Sequence, residues 1–466
     1  MNIKMIEAQD SEQQTRQRIT LLATSMSYVL IFLDTSIVNV ALDRIATGLG
    51  SGFIGLQWVV TAYVVVFASL VLSGGALSDT FGAHRIYTAG LVLFATASLI
   101  SGCAPTLEAL IGGRILQGVG SALLVPSALS MIRHAYPDEA VRARAIASWA
   151  SAGGVAQILG PLAGGLLLTV FDWRSIFFVN VPVCIAGLWL AGKLGHEADD
   201  CGSRRFDLPG QVTSALAMVL LITTLIEQRE LGWNNHWILV GIALVVVMTL
   251  FFVIIEYRSE APMLPLFLFS NSAFSWISFS VLLGSSAFFG ILFVLNLYFL
   301  RGAGYTPLQT GVVLLPLALF ATVGNRVSAK RAARTKPMSL MIAGAGFRLI
   351  GFVGIAWASS RPFPALMAAS LLLIGFGSGL SNPMTISTLL STTDKKYAGI
   401  VSGSATAIGQ LGASIGVAVF GAFLAAAPNI ADGTRSSALV CAALTGLIIL
   451  IFQILRRQQS SISVES

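Results

Sequence analysis

Charged residues make up only 11% of this 466-residue chain, less than half of the roughly 25% with which soluble domains face water. The chain is 55% hydrophobic, with a mean hydropathy of +0.82. That composition leaves no surface to dissolve in water, and it excludes soluble enzymes and free nucleic-acid-binding proteins. The formal charge of +7 therefore reads as basic residues in short loops that orient membrane helices, not as a nucleic-acid surface. Four cysteines are scattered without CxxC spacing. Cys103, Cys184 and Cys441 lie in apolar runs and are expected to pack there, while Cys201 is expected to be a free thiol in a polar loop. The four histidines have no ligand spacing, and there is no GxxxxGK[ST] loop, so neither a metal, a cofactor nor ATP-driven pumping is expected. The first 18 residues are polar, and the first apolar run outlasts a signal core, so no cleavable signal peptide is expected.

Crossing about 30 Å of hydrocarbon takes roughly 20 apolar residues. Such runs fall near 20–42, 54–76, 86–104, 107–132, 145–170, 173–193, 208–227, 237–255, 273–299, 308–327, 338–357, 364–390, 397–426 and 437–455. The expected architecture is an all-α polytopic membrane protein of fourteen spans. Residues 1–19 form an N-terminal segment, 20–193 a six-helix bundle, and 194–272 linker loops with a two-helix insert. A second six-helix bundle covers 273–455, followed by the tail 456–466. With both termini in the cytoplasm, about 20 of the 28 Lys and Arg residues fall inside, including Arg85, Arg133, Arg142 and Arg144. About six fall outside, among them Arg44, Arg174 and Arg301, which is the expected positive-inside bias.

Four spans carry interpretable chemistry. Between spans 2 and 3 runs Gly75-Ala76-Leu77-Ser78-Asp79-Thr80-Phe81-Gly82-Ala83-His84-Arg85. Gly75 permits close helix approach, Gly82 a tight turn, and Asp79 an anionic latch onto a helix N-terminus. Span 1 contains Leu33-Asp34-Thr35-Ser36-Ile37-Val38-Asn39-Val40-Ala41-Leu42. Asp34 is the acidic residue deepest in a span, and an intramembrane carboxyl is a functional site by default; a structural Asp satisfied by hydroxyls is the alternative. Span 4 carries Arg114-Ile115-Leu116-Gln117-Gly118-Val119-Gly120. A buried Arg keeps its charge, and Asp34 is its expected partner. Arg348 in span 11 is a second intramembrane Arg, with no acidic partner in view. Span 5 contains Gly160-Pro161-Leu162-Ala163-Gly164-Gly165, a kinking proline among packing glycines.

Together these segments resemble the major facilitator superfamily, in its fourteen-span drug:proton antiporter branch. Thr80 and Ala83 stand where that family commonly has basic residues, Asp43 where it has Pro, and Ala156 where it has Gly. The resemblance implies a proton-coupled exporter of small amphipathic or cationic compounds, multidrug-efflux type, in a bacterial plasma membrane. Asp34 and Arg114 would couple the proton gradient that drives it. Gly75, Asp79, Gly82 and Arg85 would form the gating loop, and Gly160, Pro161, Gly164 and Gly165 the antiporter motif. Asn39, Trp58, Tyr63, Trp149, Gln157, Phe289, Asn296 and Tyr298 are candidates to line a central cavity, where transporter sites lie. The expected partners are a small molecule, protons and the bilayer, with no nucleic acid, and the chain is expected to be a monomer. Export of an endogenous metabolite, siderophore or antibiotic is the alternative, and a membrane sensor without flux is more remote.

Overall fold

The computed structural model describes residues 2–465 apart from 195–206, 260–261, 263–265, 333, 360–362 and 394–397. The described chain is helical, with no strand among the described residues. In the first half run α1 (Asn2–Leu49), α2 (Phe53–Phe81), α3 (Ala83–Gly102), α4 (Leu107–Ala135), α5 (Glu139–Val170), α6 (Ser175–Phe178) and α7 (Asn180–Gly192). Then come α8 (Leu208–Leu231) and α9 (His236–Arg258). The second half holds α10 (Ser272–Leu297), α11 (Pro307–Ala332), α12 (Pro337–Ala358), α13 (Pro364–Ser391), α14 (Ala398–Ala426) and α15 (Ile430–Glu465).

Local chemistry in the links explains where these helices start and stop. Thr106 caps α4 by accepting from the Ala109 N–H at 3.3 Å, and Asp138 caps α5 by accepting from Val141 at 2.8 Å. Asp207 and Asn235 do the same for α8 and α9 at 3.0 and 2.9 Å; each satisfies an otherwise orphaned donor at a helix N-terminus. α2 and α3 meet at Gly82, whose φ of 97° is a conformation that L side chains rarely adopt, so glycine is required at this turn. The sixth expected span is interrupted at Val179 between α6 and α7. Pro182 has no N–H to donate to Phe178, four residues back, and that removes one rung of the helix. Two ends differ from expectation. α1 begins at Asn2 and α15 runs to Glu465, so both helices continue past their apolar spans into the polar flanks.

Thirteen helices among the described residues are long and apolar enough to cross a bilayer. The remaining long helix, α5, has 32 residues, or about 48 Å of rise. Its described apolar stretch is confined to Leu159–Val170. It packs lengthwise on α1.

The helices fall into two sets with one pairing pattern. In the first set α1 packs on α5 and α7, and α4 on α2 and α3; in the second α10 packs on α14 and α15, and α13 on α11 and α12. Successive helices alternate in direction, so the turns define two faces, one bearing Gly82 and the other bearing Gly50. The sets meet through α5 against α11 and α2 against α14. On the Gly50 side the approach is close. A Cβ at Gly165 would lie 2.5 Å from the Leu308 Cα, and one at Gly311 would lie 2.7 Å from the Pro161 carbonyl carbon. Gln57 Nε2 donates to the carbonyls of Val417 and Ala418 at 3.0 and 3.1 Å, and Arg301 Nε donates to Asp43 Oδ1 at 2.7 Å.

Gln57→Ala removes the two buried bonds across this contact, about 1–2 kcal/mol or roughly a tenfold shift toward opening. A cysteine at buried Thr61 is expected to react correspondingly faster with a water-soluble maleimide applied from the Gly50 side. Unchanged labelling would show that Gln57 does not hold the contact.

The insert does not stand apart from the bundles. α8 lies along the seam between α2 and α14. Gln211 Nε2 donates to the Ser69 carbonyl, and Trp58 Nε1 donates to Glu227 Oε1 at 3.2 Å, near the other end of α8. Ile222 and Ile226 pack with Ile415 and Ala418 of α14. α9 leans on α8 and leaves nearly all of its apolar length exposed, as expected for a lipid-facing helix.

Candidate functional site

Five helices of the first set bring one polar cluster together. Asp34 of α1 is fully buried and Arg114 of α4 is 1% exposed. Arg114 Nη1 donates to Asp34 Oδ2 at 2.5 Å and to Gln117 Oε1 at 2.8 Å, while its Nε donates to the Val59 carbonyl at 3.0 Å. Asp34 Oδ1 accepts from Gln117 Nε2 at 3.0 Å and from Asn180 Nδ2 at 2.8 Å. Ser98 of α3 accepts from Gln117 at 2.9 Å. A carboxylate with three donors in a water-poor interior is well satisfied, and removing either ionic partner would strand a buried charge.

Gln117 and Asn180 were not singled out from the sequence. Gln117 lies three residues from Arg114 and so shares its helix face, a signal open to reading. Asn180 is a polar residue in an apolar run, two positions ahead of Pro182.

A cavity of about 200 Å³ lies between the two sets, in front of this cluster. Tyr28, Thr35, Asn39, Tyr63 and Trp149 line it from the first set, and Phe289, Gln410 and Ser414 from the second. No charged residue is among its described lining. Trp149 stacks on Tyr28 at 3.8 Å and donates to the Thr24 carbonyl at 3.0 Å, so its ring is held in place. Tyr63 is the partition. One side of it lines the cavity, Arg114 lies 4.4 Å from its ring centroid, and its hydroxyl meets Ser121 at 2.8 Å. The Asp34–Arg114 ion pair is thus one side-chain layer behind the wall.

Of the expected cavity residues, Asn39, Tyr63, Trp149 and Phe289 lie on that wall. Trp58 does not; its indole turns to Glu227 on α8. Asn296 is buried against its own helix, donating to the Leu292 carbonyl at 2.8 Å. Tyr298 begins a π-helical turn, Tyr298–Gly302, beside Phe299. The Gln157 side chain lies outside the described residues.

The other motif residues are placed as follows. Gly160 and Gly164 of α5 let Ser36 and Ile37 of α1 approach, with a Cβ at Gly164 only 2.7 Å from Ile37 Cγ1. Pro161 and Gly165 face α11, across the junction of the two sets. Gly75 passes Pro126 of α4 at contact distance. Asp79 meets Arg133, in the last turn of α4, at 3.6 Å. A side-chain cation is therefore among its partners, where a helix N-terminus was expected. Arg85 is exposed at the start of α3. Cys103, expected to pack, is exposed at the end of α3, whereas Cys184 and Cys441 are buried. Cys201 lies outside the described residues.

Residues 24–417 match the family model of the Major Facilitator Superfamily. The chain belongs to the major facilitator superfamily. As a member it is a multi-pass membrane transporter, and its relatives carry the names of efflux and resistance proteins. It is 32% identical to the methylenomycin A resistance protein of Bacillus subtilis (strain 168), with 87% of each chain covered. It is 33% identical to the cephamycin export protein CmcT of Amycolatopsis lactamdurans, over 88% of this chain and 85% of that one. It is also 32% identical to the multidrug resistance protein Stp of Mycobacterium tuberculosis (strain CDC 1551 / Oshkosh), covering 88% and 76%. Among solved structures, a POT family transporter in complex with 5-aminolevulinic acid superposes with a TM-score of 0.71 at 13% identity, covering 94% of this chain and 95% of that one. At that identity the likeness concerns the fold alone.

Proposed function

We propose that this major facilitator protein is a proton-coupled exporter of small amphipathic compounds, working by alternating access. The observation that carries this reading is the buried Asp34–Arg114 pair, set one side chain behind an uncharged aromatic cavity. Protonating Asp34 releases the guanidinium from its counter-charge, and the freed charge pulls on Tyr63 through the ring face. A compound in the cavity presses on the same ring from the other side. Proton and cargo thus act on one shared element, which is what exchange requires. The Gly82 face, with Asp79 and Arg133, is the cytoplasmic one in this scheme, and α5 supplies the fourteenth crossing.

Because the lining is uncharged, affinity comes from aromatic faces and hydrogen bonds rather than from an acidic residue in the cavity. Amphipathic neutral molecules and monovalent lipophilic cations fit that chemistry. A second reading rests on the same lining: export of an antibiotic or other metabolite made by the cell itself, in line with relatives named for single antibiotics.

The test is ethidium movement in proteoliposomes under an imposed pH gradient, beside a growth panel of lipophilic cations in cells lacking other exporters. Gradient-dependent flux supports the antiporter. Flux indifferent to the gradient ends that reading, and no protection against any cation favours the dedicated exporter. Within the same assay, Tyr63→Phe keeps the ring and should hold flux within about threefold. Tyr63→Leu loses the shared element and should leave binding with little gradient response. Equal behaviour of the two variants would remove the ring from the coupling.

A further inference from the structure

The second set of helices holds a charge that the transport scheme does not use. Arg348, midway along α12, is 5% exposed. Arginine keeps its proton in proteins, so this charge has to be balanced where it lies. The protein gives it little. Nη2 donates to the Gly284 carbonyl of α10 at 3.1 Å, and the Phe352 ring centroid is 6.0 Å away. Nε is buried without a hydrogen-bond partner among the described residues. The neighbouring Cys441 thiol of α15 donates to the Ala287 carbonyl at 3.4 Å.

The sequence offers no internal counter-charge either. Between residues 273 and 455 the acidic residues are Asp394 and Asp432. Asp432 is in the first turn of α15, held by Asn429 at 2.8 Å. Asp394 lies outside the described residues. Arg348 is 11 residues beyond Pro337 along α12, about 16 Å at the helical rise.

In the first set the first helix answers Arg114 with Asp34. In the second set the first helix presents Gly284 to the guanidinium. A Cβ there would stand 3.4 Å from Nη1 and 3.6 Å from Nη2, at ordinary contact distance. The space beside this glycine is where a counter-charge would stand. A bare guanidinium away from water is costly enough that intramembrane arginines pair or face water. We propose that Arg348 is the cation of a small-anion site between α10, α12 and α15, binding a monovalent anion of halide or carboxylate size beside Gly284. The bound anion neutralises the second set as Asp34 neutralises the first. This site does not depend on the direction or coupling of transport.

The experiment is thermal unfolding of the purified full-length protein in detergent, at constant ionic strength, in sodium chloride, sodium acetate and sodium gluconate. Chloride or acetate is expected to raise the midpoint saturably over gluconate. The effective ion tells whether the site takes an inorganic ion or a carboxylate group. Arg348→Gln should lose the difference between salts. If that variant does not fold, Gly284→Asp decides. Its built-in carboxylate should bring the midpoint in gluconate up to that of the wild type in chloride and abolish the anion response. Identical wild-type midpoints in the three salts, or an unchanged anion response in Gly284→Asp, would overturn the site.

Discussion

Asp34→Asn is expected to bring gradient-driven flux in proteoliposomes down to the level of empty vesicles. The amide can still accept from Arg114, but it can neither bind nor release a proton at this position. The fully buried carboxylate is held by Arg114, Gln117 and Asn180, so the substitution also leaves the guanidinium without its counter-charge. Removing one partner of a buried pair costs about 3–5 kcal/mol, and the retained acceptor should keep the loss near the lower figure. A second variant separates instability from lost coupling. Asp34→Asn with Arg114→Gln removes both charges, so the unfolding midpoint should recover while the gradient response does not. If Asp34→Asn retains wild-type gradient-driven flux, Asp34 is not the proton carrier.

Gly165→Val is expected to block the cycle by a different route. A Cβ at this position would lie 2.5 Å from the Leu308 Cα and 3.0 Å from its nitrogen. Backbone atoms cannot swing aside as a side chain can, so the two sets must part on the Gly50 side. The variant should therefore fold, since the clash lies between sets and not within one, and it should be held open on that side. Turnover should fall by at least about a hundredfold, the scale of a shift of about 3 kcal/mol between the two states. A cysteine at Thr61 should become reactive from the Gly50 face. Near-normal turnover would mean that this close approach is not a state the transporter passes through.

How much of this was open to reading in the sequence depends on what each residue is required to do. Spans stand out because lipid demands long apolar runs, and Asp34 and Arg114 stand out because charge within such runs is costly. Which face of a span looks inward is a different matter. Lipid and protein interior are equally apolar, so hydrophobic periodicity does not point to the centre. That is why Tyr63 and Trp149 line the cavity while Trp58, from the same helix as Tyr63, turns to Glu227. Uncharged polar residues are the hardest to read. Gln117 and Asn180 complete the shell around Asp34, yet glutamine and asparagine are unremarked in a span until a three-dimensional neighbour gives them a role. The insert posed a similar difficulty. Its two helices were legible as spans, but the seam it covers joins residues more than 300 positions apart.

The attachment of α8 has a practical consequence. It is fastened to α2 near both ends by Gln211 and Glu227, and its turn into α9 spans Gly232 to Asn235. The turn therefore rides with the first set of helices as an outrigger, clear of the cavity. A fluorophore placed there, paired with one in the Ala427–Asn429 turn of the second set, would act as a goniometer for the proposed rocking motion. It would report the angle between the two halves while leaving every residue of the proposed proton and cargo path intact.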